Sequence, residues 1–282
     1  MKRTPDSRTH VVLLGTGTPN AEPDRSGPST AIVVGEHAYL VDFGPGVVRR
    51  ATAACKAGIA ALAPSRLTWA TATHLHSDHT AGYADLILTP WVLGRSEPLR
   101  VYGPSGLEAM TEHLLAAYAE DVRERLDGLE PARLTGYDAS VTEVEPGRIY
   151  EDDRVAVDAF AVRHGSWPAF GYRFTTAERT VVVSGDTAPF PGWEEAYGNC
   201  DVLIHEVQSA TGLARREPDW RAYHEAVHTT GVQLADVASR VRPNLLVVTH
   251  VLLHGETEDS LLSEIRSRYD GDVVLGRDLD IF

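Results

Sequence analysis

Residues 73–82 read THLHSDHTAG, placing His74, His76, Asp78 and His79 within six positions. The apolar run LTWATAT (67–73) reads as a strand that delivers the chain into this loop, and the stretch from Asp78 to Leu93 reads as a helix leaving it. At a strand-to-loop transition positions i and i+2 can project to one side, so His74 and His76 can clamp a single ion. Asp78 and His79, where the helix starts, point elsewhere and suit a second ion. Neutral imidazoles and a carboxylate are the ligands preferred by a borderline-soft ion such as Zn(II). The plainer alternative is a polar helix start capped by Asp78, with the histidines solvated; so dense a set of ligand-type side chains weighs against it.

A metal site needs ligands from elsewhere in the chain. His164 closes the strand-like run RVAVDAFAVRH, Asp186 closes TVVVSGD and His250 closes NLLVVTH. Singly, each is as readily a turn cap as a ligand. Together, three apolar strands that stop on ligand-type residues match a site built on the C-terminal edges of a sheet. Further strands are expected at 10–15, 29–35, 38–43, at LRVYG and at 169–175 and 201–206, with a last one at 272–276. Helices are expected from Pro45 to about Ala57, over 105–126, 230–240 and 258–269, and a loop rich in Gly, Pro and Asp follows residue 126. Strand-rich halves that each end in helix–strand alternation fit a layered α/β fold with helices outside a pair of sheets.

Composition narrows the function classes. The chain has 282 residues, 43% of them apolar, enough for a real core, and no linker or repeat divides it, so residues 10–282 read as a single domain after a frayed 1–9. Its net charge of −14 repels polyanions, and no run of Lys or Arg offers a local basic patch, so a long nucleic-acid partner is not expected. Neither an apolar leader behind MKRTPDSRTH nor an 18-residue apolar window is present, which points to a cytoplasmic protein with no membrane partner. Cys55 and Cys200 lack zinc-knuckle spacing and read as buried free thiols.

The combination HLHSDH, an isolated His164, SGDT (184–187) and a final strand-end His250 resembles the metallo-β-lactamase superfamily. LLGTGTPN (13–20), LVDFGPG (40–46), IHEV (204–207) and HTTG (228–231) are similar to its ribonuclease Z and arylsulfatase-like branch, over a span from about residue 10 to the last strand. The resemblance implies a four-layer αββα sandwich. It implies that His74, His76 and His164 hold a first zinc and Asp78, His79 and His250 a second, with Asp186 bridging and manganese or iron an alternative at one position. A water held by the ions would be deprotonated near neutral pH and attack the substrate, with Asp78 orienting it. Glu206 and His228 would act as the proton-donating pair for the leaving group. Asp42 and Gly44 would support the site, Asp42 as a partner of a ligand histidine. The branch commonly forms homodimers, to which the 105–126 helix could contribute.

Only 21 residues separate His164 from Asp186, where a tRNA-processing member of the branch usually carries a long arm. A small anionic or ester substrate is therefore expected, and the leading reading is a dinuclear zinc hydrolase cleaving a phosphodiester or related ester, phosphodiesterase- or arylsulfatase-like. The alternatives are lactone, thioester or β-lactam opening on the same fold, tRNA 3′-end processing, and a non-catalytic protein that uses its metals structurally. Between Glu206 and His228, residues Arg215, Arg216, Trp220, Arg221 and Tyr223 form either a rim that grips an anionic or aromatic substrate or the exposed end of an amphipathic helix. Trp91, Trp167 and Phe170 are either an apolar wall of the pocket or ordinary core. His10, His37, His113, His205, His224 and His254 read as packing or surface residues, although His224 and His254 each lie four residues from a site histidine.

Overall fold

A computed structural model describes residues 8–282; of the stretch expected to fray, residues 1–7 lie outside the described residues, while Thr9 already opens the first strand and is buried. The chain forms two compact units, although its sequence carries no linker. One comprises the strand ending at Gly15, Pro19–Val144 and Asp278–Phe282; the other comprises Thr16–Thr18 and Glu145–Arg277.

The first unit is a six-stranded mixed sheet in the order β1 (Thr9–Gly15), β2 (Ser29–Val34), β3 (His37–Val41), β4 (Trp69–Thr71), β5 (Leu99–Gly103), β6 (Ala139–Glu143). β1 to β3 run antiparallel and β3 to β6 parallel. Parallel neighbours need crossovers, supplied by α1 (Val47–Lys56), then α2 (Ser77–Thr80) with α3 (Tyr83–Val92), then α4 (Leu107–Ala117) with α5 (Ala119–Asp127). Every residue of STAIVV in β2 is buried, as a strand covered on both faces requires. Leu14, Val33, Leu40, Phe43, Val48, Leu86 and Val101 share one apolar cluster.

The second unit is a seven-stranded mixed sheet, ordered from β13 (Val273–Leu275) through β12 (Leu245–Leu252), β11 (Val202–Gln208), β10 (Thr180–Val183), β9 (Phe170–Thr176) and β8 (Val155–Ala161) to β7 (Gly147–Glu151). β7 to β10 are antiparallel and β10 to β13 parallel. Its helices are α6 (Trp193–Tyr197), α7 (Ala210–Leu213), α8 (Pro218–Val227), α9 (Gly231–Val241) and α10 (Glu258–Arg266). α9 opens on a reciprocal capping box between Thr230 and Gln233. Among the described residues no helix is long and apolar enough to cross a membrane.

Several elements depart from the sequence reading. β6 and β7 fall in the region expected to be loop after residue 126; they are edge strands with mostly exposed, polar side chains (ASVTE, GRIYE), so the burial that makes a strand legible is missing. The expected 78–93 helix breaks at Gly82, where a Cβ would meet the Gly44 carbonyl oxygen at 2.3 Å. The 105–126 helix breaks at Tyr118. Pro45 precedes the first helix instead of opening it, because Gly46 is the N-cap. Trp91 and Phe170 are buried, as ordinary core residues are, while Trp167 is 44% exposed. Cys200 is buried and Cys55 half-buried, both as free thiols.

Candidate metal centre

In the first unit the histidine loop is held from beneath. Gly44 lies so close to it that a Cβ would stand 2.5 Å from the Asp78 carbonyl oxygen, and the backbone N–H of Phe43 donates to the His79 carbonyl. His76 is the N-cap of α2 without a side-chain capping bond, so Asp78 lies within the first turn and is not the cap. Its Oδ2 stands 3.5 Å from His79 Nε2. The Asp42 carboxylate accepts the Thr73 N–H at 2.7 Å and meets His79 Nδ1 at 2.8 Å. Thr73 Oγ1 lies within 3.0 Å of both Asp42 oxygens and of His74 Nδ1. With their Nδ1–H groups on an oxygen, His79 and His74 turn Nε2 outward, the orientation that outer hydrogen bonds impose on metal-binding imidazoles. His74 Nε2 and His76 Nδ1 stand 3.0 Å apart.

In the second unit His164, Asp186, Glu206, His228 and His250 come together. His164 follows β8 by three residues and is held by its Nδ1 on the Val227 carbonyl at 2.9 Å, again leaving Nε2 outward. Asp186 lies three residues beyond β10, and its Oδ2 stands 3.4 Å from His250 Nε2 and 3.9 Å from His228 Nδ1. Donor atoms of Asp186, His228 and His250 all lie within 4.8 Å of one another. His250 does not end its strand: β12 continues to Leu252, and His250 adopts φ 45°, opposite a register shift between Glu206 and Val207. A side chain with positive φ inside a strand is strained and is kept only where the surroundings over-determine it. Here the bulge turns the imidazole to Asp186.

Glu206 is wholly buried. Its Oε1 accepts the Thr229 N–H at 2.7 Å and the Thr187 N–H at 3.4 Å, and its Oε2 lies 3.3 Å from His228 Nδ1. Burial, then the Asp186 carboxylate, pushes the Glu206 pKa well above the ordinary range. His205, read as a packing residue, is one: its Nδ1 donates to the Glu206 carbonyl at 2.6 Å, and burial lowers its pKa to about 4, so it stays neutral at neutral pH.

The donor set fits a metal. Two atoms each about 2.0–2.1 Å from a zinc at a tetrahedral angle lie about 3.3 Å apart. The pairs His74–His76, Asp78–His79 and Asp186–His250 measure 3.0, 3.5 and 3.4 Å. These clustered histidines and aspartates are consistent with metal binding.

A family profile described as "Beta-lactamase superfamily domain" matches residues 37–251, and a ribonuclease Z of Mycobacterium marinum is 32% identical over 95% of this chain and 96% of its own length. The chain belongs to the metallo-β-lactamase superfamily. It is ribonuclease Z-like within it, and its two mixed sheets with flanking helices are the metallo-β-lactamase fold. The metallo-β-lactamase fold protein YhfI of Bacillus subtilis is similar to it with a TM-score of 0.75 at 17% identity, covering 98% of this chain and 99% of that one. The short form of human tRNase Z is similar with a TM-score of 0.67 at 21% identity, covering 97% and 98%. As a superfamily member of this branch it is a metal-dependent hydrolase.

Sequence reading missed two contributors. Thr73 precedes His74 directly, yet nothing in a strand threonine announces a link between an acid and an imidazole. Gln208, fully buried, donates from Nε2 to the carbonyls of His224 and His228 at 3.0 and 3.1 Å, and its Oε1 lies 3.1 Å from His254 Nε2. Two carbonyls fix the amide orientation, so Oε1 must accept from His254.

Proposed function

We propose that this hydrolase cleaves a phosphodiester or related ester of a small molecule, using two zinc ions. On this reading, as the family resemblance implies, His74, His76 and His164 would hold one ion and Asp78, His79 and His250 the other, with Asp186 serving both. The observation that carries the reading is the buried Glu206–His228 pair, at 3.3 Å, beside Asp186 and His250. When bound, the metals supply a Lewis acid and lower the pKa of a coordinated water towards neutrality. Glu206, anchored by two backbone N–H groups, places a carboxylate oxygen 3.3 Å from His228 Nδ1, where it would favour an imidazole that offers its Nε2 proton to a leaving oxygen. Asp78 orients the attacking water by accepting its hydrogen bond.

A small substrate is supported by the stretch between His164 and Asp186, which is taken up by β9, β10 and the turn joining them, and by the net charge of −14. Cleavage of RNA is the second reading, favoured by the identity to proteins named ribonuclease Z. Zinc-loaded protein is expected to carry about two zinc per chain by elemental analysis and to turn over bis(p-nitrophenyl) phosphate. His228→Ala is expected to lower kcat by roughly 10²–10⁴. Full turnover after metal removal would sink the proposal. Faster cleavage of a pre-tRNA than of any small diester would favour the second reading, and lactone opening spared in Glu206→Gln would favour ring-opening chemistry.

A further inference from the structure

Arg216, Trp220, His224 and His228 recur every four residues, from the turn before α8 to its C-cap. At about 3.6 residues per turn this spacing puts them on one ridge of the helix. The Arg216 guanidinium carbon lies 5.8 Å from the Trp220 ring centroid. Trp220 and His224 follow at 6.0 Å with 30° between planes, then His224 and His228 at 5.8 Å with 27°. Exposure falls along the ridge: Arg216 and Trp220 are exposed, His224 is half-buried and His228 is buried. The ridge therefore runs from solvent to the Glu206–His228 pair.

Its inner end is rigid, because Gln208 holds the carbonyls of both His224 and His228. Its outer end carries an indole that is 55% exposed, so the ring is open to a ligand from solvent. The charges there are unequally occupied. Arg215 pairs with Glu256 and Arg221 faces Glu225, whereas Arg216 has no carboxylate partner among the described residues. In a chain of net charge −14, a cation without a carboxylate partner beside an exposed indole favours a planar anionic ligand.

We propose that the α8 ridge is a substrate subsite: a planar ring stacks on Trp220 and a negative group meets Arg216, while the scissile ester lies at His228. The inference rests on the hydrolase reading above. Eight residues of helix place Trp220 about 12 Å from His228. That is beyond the reach of a single aryl group on the reacting phosphorus and within the span of an extended dinucleotide ester.

The test compares kcat/KM for bis(p-nitrophenyl) phosphate with that for the p-nitrophenyl ester of a thymidine dinucleotide. In Trp220→Ala the long-to-short ratio is expected to fall about tenfold, mainly through KM, as the loss of one base–aromatic stack gives. Trp220→Tyr restores most of it, Arg216→Ala lowers it several-fold in a salt-sensitive way, and Val274→Ala, exposed on the edge strand β13 of the same unit, serves as the control. Ratios within twofold of the wild type in both Trp220→Ala and Arg216→Ala overturn the subsite. If the wild type turns over neither ester, the hydrolase reading fails, and binding decides the ridge by itself. Quenching of a 2-aminopurine dinucleotide in the wild type and its loss in Trp220→Ala supports the subsite; no quenching in the wild type overturns it.

Discussion

Asp42 sits at φ 62° at the end of β3 and spreads one carboxylate over a backbone N–H, a hydroxyl and an imidazole. It thereby orients His79 directly and His74 through Thr73. An amide in its place would keep the size and tolerate the left-handed backbone, but would present an N–H to one of these partners. Asp42→Asn is therefore expected to fold and to bind zinc roughly 10–100-fold more weakly, the usual cost of losing an outer hydrogen-bond partner, as measured by competition with a chromophoric chelator. Asp42 was legible through LVDFGPG, one of the stretches that carry the family resemblance. Thr73 was not, because its part depends on one rotamer, which no spacing encodes. The histidines and aspartates of the centre were legible for the opposite reason: few interiors contain ionisable groups at all, so their crowding at strand ends stands out.

Elements show a different division. Strands with two covered faces, such as STAIVV, could be read directly, while β6 and β7, at the outer edges of their sheets, could not. α8 was read as either rim or helix; it is a helix from Pro218 to Val227 whose polar face dilutes the apolar signal. Strand ends were misjudged by up to three residues, and at His250 the error had a cause, since a bulge lets β12 run on past the side chain it re-aims. Arg95 escaped notice because a Gly-Arg pair after a helix looks like surface. It is buried, and its guanidinium donates to the carbonyls of Leu67, Leu86, Ile87 and Gly136 at 2.6–3.1 Å, tying the middle of α3 to the segments at Leu67 and Gly136. Burial lowers its pKa only to about 10, so it stays charged. Arg95→Lys has three donors on a point charge and cannot reach four carbonyls. A loss of about 2–4 kcal/mol is expected, from unpaired buried carbonyls at about 1–3 kcal/mol each, seen as a lower urea midpoint.

Across the whole molecule, the first unit is assembled from distant parts of the chain. Asp278 accepts the Ser26 N–H, and residues 280–282 pair with β1: Val11 N–H donates to the Phe282 carbonyl, Phe282 N–H to Val11, and Leu13 N–H to Asp280. β1 would otherwise be the bare margin of its sheet. Deleting residues 279–282 is expected to lower the thermal midpoint and to raise light scattering on heating, since an unpaired apolar strand recruits other chains. During synthesis the sheet that begins with the first strand cannot be finished until residues 278–282 have left the ribosome. Until then VVLLG lies open along one side, and a nascent chain stalled before residue 278 would present a sticky strand to its neighbours.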